Sequence, residues 1–450
     1  MTRRRKLQLL AGLALAVVLV RYAHRIHPRL DFRSGFLPRA GAVEWAWTGA
    51  LQPTSIRLVA RLTRPSERVR LLLDQDRSLA RPRASSFHAA REDSDLAVSI
   101  AADGLAPGSR YFWALEVDGE VDSARRGSFR TPRLGPQSFT FAFGSCARTG
   151  SSHPVFGTIR RHDPLFLLHL GDLHYRNITR NDPALYARAF DTVLRSPGQS
   201  RLFRAVPVAY MWDDHDYGAN NSDATSPSRT AARHVYRQLV PHYPLPAGDG
   251  DAAIYQAFTI GRVRFLLTDN RSERSPRREP DGPGKTVLGD EQKAWLERQL
   301  QEAGQRYPLI VWANTFPWIA PERADADDWG GYATERLEIA RFIEDHAISG
   351  LVVLSGDAHM LAIDDGSHNR FTAAGGPGFP VMHAAPFDNH GSVKGGPYSS
   401  RIFTDAGQFA QMTVEDDGGE TITVRWSGRD HRDRELLSHR FTVPARPRRR

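Results

Sequence analysis

The sequence predicts an α/β domain carried behind a small all-β sandwich, and three observations predict it. At 450 residues the chain exceeds what one core usually supports, so two domains plus appendages are expected. From Val43 to Pro132, short apolar–polar alternations are broken by turn residues. After Pro136, continuous apolar runs of strand length alternate with helix-like segments, the pattern of a sheet covered on both faces.

The first element is not part of either domain. Arg3-Arg4-Arg5-Lys6 precedes an uncharged apolar run from Leu7 to Val20, closed by Arg21. Fourteen residues suit a signal segment better than a full span, which needs ~20. No small-x-small cleavage site follows the run, so residues 1–33 read as a signal peptide or, preferably, an uncleaved signal-anchor with its basic end cytoplasmic. The expected location is exported, periplasmic or otherwise extracytoplasmic, with membrane association through this segment. A twin-arginine reading is weak, because Lys6 stands where that motif wants an apolar residue.

Charge supports this division. Of the formal +9, residues 1–33 carry +7 and the tail arginines Arg446, Arg448, Arg449 and Arg450 carry +4, which leaves the body at −2. A nucleic-acid-binding body is not supported. The single cysteine, Cys146, excludes an internal disulfide.

The second element spans residues 43–132. Its strands are expected at Val43 to Trp47, Ser55 to Leu62, Val69 to Leu73, Leu96 to Ile100, Tyr111 to Val117 and Gly127 to Thr131. The stretch Gly104-Leu105-Ala106-Pro107-Gly108-Ser109-Arg110-Tyr111 resembles the late strands of fibronectin III modules, including those that precede catalytic domains in purple acid phosphatases. No catalytic cluster falls here, and the segment is assigned a positioning role.

The third element, residues 137–430, carries the chemistry, and the informative feature is what ends each apolar run. Phe139 to Phe143 leads into Gly144-Ser145-Cys146, and Leu165 to Leu170 into Gly171-Asp172-Leu173-His174-Tyr175. Val206 to Trp212 leads into Asp213-Asp214-His215-Asp216, Val263 to Leu267 into Thr268-Asp269-Asn270-Arg271, and Leu351 to Leu354 into Ser355-Gly356-Asp357-Ala358-His359. Ligands in open α/β sheets gather beyond the carboxyl ends of strands. One Asp after a strand usually caps a turn. Five such endings instead put carboxylates, imidazoles, a thiol and an arginine on one rim, a set able to hold hard or borderline cations. Two adjacent cations can activate water and hold both oxygens of a displacement at phosphorus. Arg271 would grip phosphate oxygens with its planar fork, and His215 would protonate the leaving alkoxide. His174 is open between a supporting role and none, while His234, His242, His383 and His390 read as surface or structural. A hairpin is expected across Gln408 to Trp426, followed by a C-terminal strand and basic tail over 431–450.

Together Gly171-Asp172-x-x-Tyr175, Trp212-Asp213-Asp214-His215-Asp216 with Asn220, Asp269-x-Arg271 and Ser355-Gly356-Asp357-x-His359 resemble the motifs of the PhoD-like alkaline phosphatase/phosphodiesterase family. Trp329-Gly330-Gly331-Tyr332 and Lys394-Gly395-Gly396-Pro397-Tyr398 add to the likeness. The resemblance implies a metallophosphoesterase fold and a site of iron(III) with calcium, other divalent metals remaining open. It implies Cys146 and Tyr175 as iron ligands, Asp172 as a bridge to the second metal, Asp357 and His359 as further ligands, and Asn220 as a calcium ligand. Asp213-Asp214-His215-Asp216 replaces the usual Gly-Asn-His-Asp/Glu, which leaves Asp214 and Asn220 as alternatives for the asparagine's role.

The expected function is metal-dependent hydrolysis of phosphate mono- or diesters by metal-activated hydroxide. Alternatives are a phosphodiesterase specialised for phospholipid or cell-wall polymer, and a non-catalytic surface-binding protein on a degenerate hydrolase fold. The intact set of acidic and imidazole residues argues against the last. Oligomeric state is not readable from the sequence.

Overall fold

The computed structural model describes residues 41–376 and 378–445. The signal or anchor segment and the terminal arginines lie outside the described residues. Among the described residues no helix is long and apolar enough to cross a membrane.

The apolar runs after Pro136 form two sheets rather than one. In the first, of nine strands, Phe139–Gly144, Leu167–Leu170 and Val208–Met211 lie parallel at the centre. The hairpin Gln408–Glu415 and Thr421–Asp430 and the last strand, Glu435–Pro444, extend it on one side. In the second, of six strands, Val263–Leu267, Leu309–Asn314, Leu351–Ser355 and Val381–Ala384 are parallel. Leu309–Asn314 is a central strand absent from the five expected rim-ending runs.

The alternation of side chains explains why these runs are apolar throughout. Phe141, Phe143, Leu168, Leu170, Val311, Val352 and Leu354 fill the space between the two sheets. Their neighbours Ala142, Leu167, Ile310, Trp312 and Val353 face outward under helices. The expectation of a sheet covered on both faces holds for each of the two sheets: each has helices on one face and the other sheet on its second face. Periodicity cannot distinguish a helix from a sheet as the covering layer. Pro154–Arg161, Pro183–Arg195, Pro197–Ala205 and Arg229–Leu239 cover the first sheet, and Gly289–Arg306 and Ala333–Asp345 the second. Proline stands at the start of three of these helices, where its missing N–H costs nothing.

Strands occupy all six places expected between residues 43 and 132. Ser66–Asp74 and Arg110–Val117 belong to a separate six-stranded sheet, but Val43–Gly49, Ile56–Leu62 and Ala97–Ala102 continue the nine-stranded sheet through the pairing of Gly49 with Val208. One apolar cluster runs from Leu58, Ile100 and Trp113 to Phe141 and Trp426. Residues 43–132 and 137–430 therefore fold as parts of one compact unit from Gly41 onward, not as two independent bodies.

Candidate active site

The rim beyond the parallel strands is built by backbone that ordinary residues avoid. Cys146, Asp172 and Asp357 each follow a strand with φ of 65°, 54° and 64°. Left-handed backbone in non-glycine residues is held only where the surroundings impose it, and it clusters at functional sites. The imposing contacts are visible: Cys146 N–H donates to Gly171 O at 3.3 Å and Ala147 N–H to Asp172 O at 3.0 Å, which locks two strand ends together. Gly171 passes so close to the next strand end that a Cβ there would lie 2.5 Å from Asp213 Cβ, so only glycine fits.

Three groups of potential ligand atoms adjoin along the rim: Cys146, Asp172 and His359; Asp172, Asp214 and His215; and Asp213, Asp214 and Asp357. Asp172 belongs to the first two groups and Asp214 to the last two. Cys146 is fully buried, its Sγ 3.6 Å from Asp172 Oδ2 and 3.5 Å from the Asp357 carbonyl. Tyr175 OH lies 3.0 Å from His359 Nε2, and the other ring nitrogen of His359 pairs with the His390 carbonyl. Asp216 is occupied elsewhere: it accepts from Asp213 N–H at 2.7 Å, Leu173 N–H at 2.9 Å and Tyr210 OH, which fixes the turn that presents Asp214 and His215.

His215 is half-buried and packs against Tyr175 with the rings tilted by 36° and their centroids 4.2 Å apart. Its Nδ1 pairs with Asn177 Oδ1 at 2.5 Å, and its Nε2 lies 4.0 Å from Asp214 Oδ1. An Nδ1–H donated to the amide oxygen leaves Nε2 free toward the rim. Burial holds His215 below its ordinary pKa, opposed by Asp214.

Arg271 departs from expectation. It is fully buried, with Nε on Asp213 at 2.5 Å and Nη1 on Asp327 at 3.0 Å, behind the carboxylates and not facing solvent. Its geometry is that of a counter-charge, not of an exposed phosphate clamp; Arg274 pairs with the same Asp327 at 2.5 Å. Asn220 is exposed, whereas its neighbour Asn221 gives its N–H to Asp214 Oδ2 at 2.6 Å. His174 is buried with neither ring nitrogen bonded and packs on Phe190.

Sequence reasoning missed Asn177 and Asp327, named Asp213 and Lys394 only within their motifs, and gave neither of those two a role. Lys394 Nζ lies 2.9 and 2.8 Å from the two Asp357 oxygens and 3.5 Å from Asp327 Oδ2. A signal was present, since this is one of only four lysines in a chain with 60 basic residues.

The rim fits metal ions on its own chemistry. Burial pushes Asp172 well above the usual carboxylate range, and Asp214, Asp213 and Asp216 push it further. Asp213 is raised by burial despite Arg271, and its Oδ2 is buried without a hydrogen-bond partner. Burial likewise pushes up the Cys146 thiol and the Tyr175 phenol, each reinforced by Asp172. Carboxylates crowded this way are costly unless cations join them. Thiolate and imidazole beside one carboxylate suit a borderline ion, and the all-oxygen donors a hard one.

Comparison with known proteins agrees with this architecture. The sequence profile of the PhoD-like phosphatase family matches residues 141–382. Alkaline phosphatase D of Bacillus subtilis (strain 168) is 25% identical over 309 residues, covering 58% of this chain and 53% of that protein. The match thus spans about half the length of that curated relative. A solved structure of PhoD superposes with a TM-score of 0.72 at 18% identity, over 88% of this chain and 92% of that one. Purple acid phosphatase PPD1 from yellow lupin (Lupinus luteus) seeds gives 0.59 at 11% identity, over 89% and 74%. The two structures share this fold, and the profile match over more than half of the chain carries the conclusion: this chain belongs to the PhoD-like phosphatase family.

Proposed function

We propose that the rim is the centre of a metal-dependent phosphate-ester hydrolase. The observation that carries this reading is the row of adjoining donor groups joined through Asp172 and Asp214. Cys146, Asp172 and His359, with Tyr175 beside them, would hold one cation, iron(III) being the ion that suits a thiolate and a phenolate together. Asp172 and Asp214 would hold a second, harder cation such as calcium. When bound, two adjacent cations activate water and stabilise the attacking and leaving oxygens at phosphorus.

The chain's own groups do the rest. Asn177 fixes the His215 ring so that Nε2 faces the reacting atoms, and from there His215 hands a proton to the departing oxygen. Arg271 balances Asp213 from behind and favours the ionised forms of Asp213 and Asp214 against the cost of their burial. A second reading of His215 has its own support: its lowered pKa and bonded Nδ1 suit a neutral ring offering Nε2 to the second cation. Strands 43–132 would act as a fibronectin III-like positioning sandwich, and residues 7–20 would export the protein and keep it at the membrane, which cell fractionation tests.

The test is hydrolysis of matched nitrophenyl phosphate mono- and diesters by protein purified without chelator. Turnover that rises and falls with bound metal is expected. A protein with full metal content and no turnover on either ester contradicts the reading and favours a binding protein.

A further inference from the structure

Asp357 and His359 project from a short loop, residues 356–360, that has to cross the end of another strand. In the second sheet Val381–Ala384 lies between Leu351–Ser355 and Leu361–Asp364, parallel to the first and antiparallel to the second. The loop therefore bridges over the carboxyl end of Val381–Ala384, where His383 has Ser355 as its neighbour on one side and Ala362 on the other. His383 is fully buried, and its Nε2 lies 2.8 Å from the carbonyl oxygen of Ala358, the residue between Asp357 and His359. A carbonyl only accepts, so Nε2 carries the proton. We propose that His383 is a positioning residue for this end of the site: its Nε2–H holds the Ala358 carbonyl and so fixes the turn from which the Asp357 carboxylate and the His359 imidazole project.

The two ends of the loop are fixed without His383. At the entry, Gly356 N–H donates to Thr315 O at 2.8 Å, and a Cβ on Gly356 would lie 2.6 Å from Ser145 Oγ. At the exit, Ala385 N–H donates to Met360 O at 2.9 Å and Leu361 N–H to Phe403 O at 2.7 Å. The middle is irregular. Asp357 has a φ of 64°, and the bonds from Ala358 N–H to Gly356 O and from Met360 N–H to Ala358 O, both 2.8 Å, each span only two residues. Left-handed backbone of this kind persists where its surroundings impose it.

The contacts on the backbone of Asp357 and His359 come from loop residues, Cys146 and Ser392. His383 instead stands on a strand paired on both sides, so its ring is as fixed as the sheet. Met382 and Ala384 fill the space between the two sheets, and strand alternation sends the His383 ring to the opposite face, where it meets the loop. A bond to the peptide between two site residues acts on both. Any turn of the Ala358 carbonyl moves the Asp357 carboxylate and the His359 ring together, although His383 touches neither.

This inference rests on the rim being a metal-holding hydrolytic centre, but its first readout needs neither metal nor turnover. Hydrogen exchange at Met360 N–H, whose acceptor is the Ala358 carbonyl, is followed in the full chain for wild type, His383→Phe and His383→Gln, with and without chelator. Phe fills the space without a donor, and Gln keeps an N–H donor of similar reach. His383→Phe should exchange at least about tenfold faster in both conditions. With metal supplied, it should lose about 10–100-fold in metal affinity and in kcat, with little change in KM. His383→Gln should restore most of each. Wild-type exchange and metal affinity in His383→Phe, or a His383→Gln protein no better than His383→Phe, overturns the proposal. If His383→Phe does not fold, His383→Gln decides alone: wild-type exchange and metal affinity uphold the proposal, and a loss of about tenfold in either overturns it. A wild type with neither metal nor turnover overturns the hydrolase reading and leaves the exchange result to decide the role of His383.

Discussion

Two loops of this molecule begin alike in sequence and end with opposite chemistry. Asp172 follows Leu167–Leu170 and Asp269 follows Val263–Leu267, each a carboxylate two residues beyond a buried parallel strand. Asp269 is saturated. It accepts from Trp212 Nε1 at 2.8 Å, Ile254 N–H at 2.9 Å, Ser272 N–H at 3.0 Å, Arg271 N–H at 3.1 Å and the Ser272 hydroxyl. Asp172, equally buried, has one long backbone bond, the Cys146 thiol and the Tyr175 hydroxyl, and three carboxylates raise its pKa further. A buried carboxylate with every lone pair matched is structure; one left short of donors among its own kind is a place for cations.

Exchanging each carboxylate for its amide separates the two most sharply. Asp172→Asn should lose turnover altogether and most of its metal, since an amide cannot serve two ions. Without metal it should melt at or above the wild type at pH 8, because a charge repelled by Asp214, Asp213 and Asp216 is gone. Asp269→Asn should do the reverse. Replacing one acceptor oxygen by an NH₂ that faces N–H donors costs at least about 2 kcal/mol of stability. Equal melting losses in the two variants would show that Asp172 and Asp269 do the same structural work.

The next effect concerns His215. His215→Ala should slow esters with poor leaving groups by about 10²–10⁴-fold, with little change for nitrophenyl esters. Asn177→Ala should show the same selectivity at about 10–100-fold, with Asn177→Asp restoring much of it. Loss of metal with an equal slowing of all esters would instead make His215 a ligand.

The smallest effect lies on the strand that leads to Asp172. His169 is fully buried, with neither nitrogen bonded, against Tyr210 and Phe387, and burial lowers its pKa to about 3. A depressed histidine stabilises the fold above its unfolded pKa of 6.5 and loses that stability as pH falls toward the folded value. From pH 7 to 5 this one group should cost the wild type about 2 kcal/mol. Chemical denaturation of His169→Phe should show a flatter acid limb by that amount, and an unchanged limb would place the acid sensitivity elsewhere.

The comparison also marks how far the sequence could be read. Cys146, Asp172, Asp214, His215, Asp357 and His359 were legible because each ends or follows an apolar run, and strand ends converge in α/β folds. Arg271 shared that signature but sits behind Asp213, since position after a strand does not say which way a side chain points. Asn177, Asp327 and Lys394 belong to connecting loops whose path no periodicity encodes. The apolar runs themselves do not say what covers each face, because a strand under a helix and a strand under a sheet are equally apolar.

We expect a cation at the Cys146–Asp172 end of the rim. Desolvation opposes ionisation of the buried Cys146 thiol and of the half-buried Tyr175 phenol, so a bound ion is what would make them thiolate and phenolate there. The direct measurement is the visible absorption of protein purified without chelator, paired with elemental analysis of wild type and Cys146→Ala. The wild type should be coloured with iron bound, from charge transfer out of sulfur and phenolate oxygen, and the variant should lose iron preferentially with a changed band. A Cys146→Ala protein that keeps its iron, spectrum and rate would contradict it and leave Cys146 as a packed side chain.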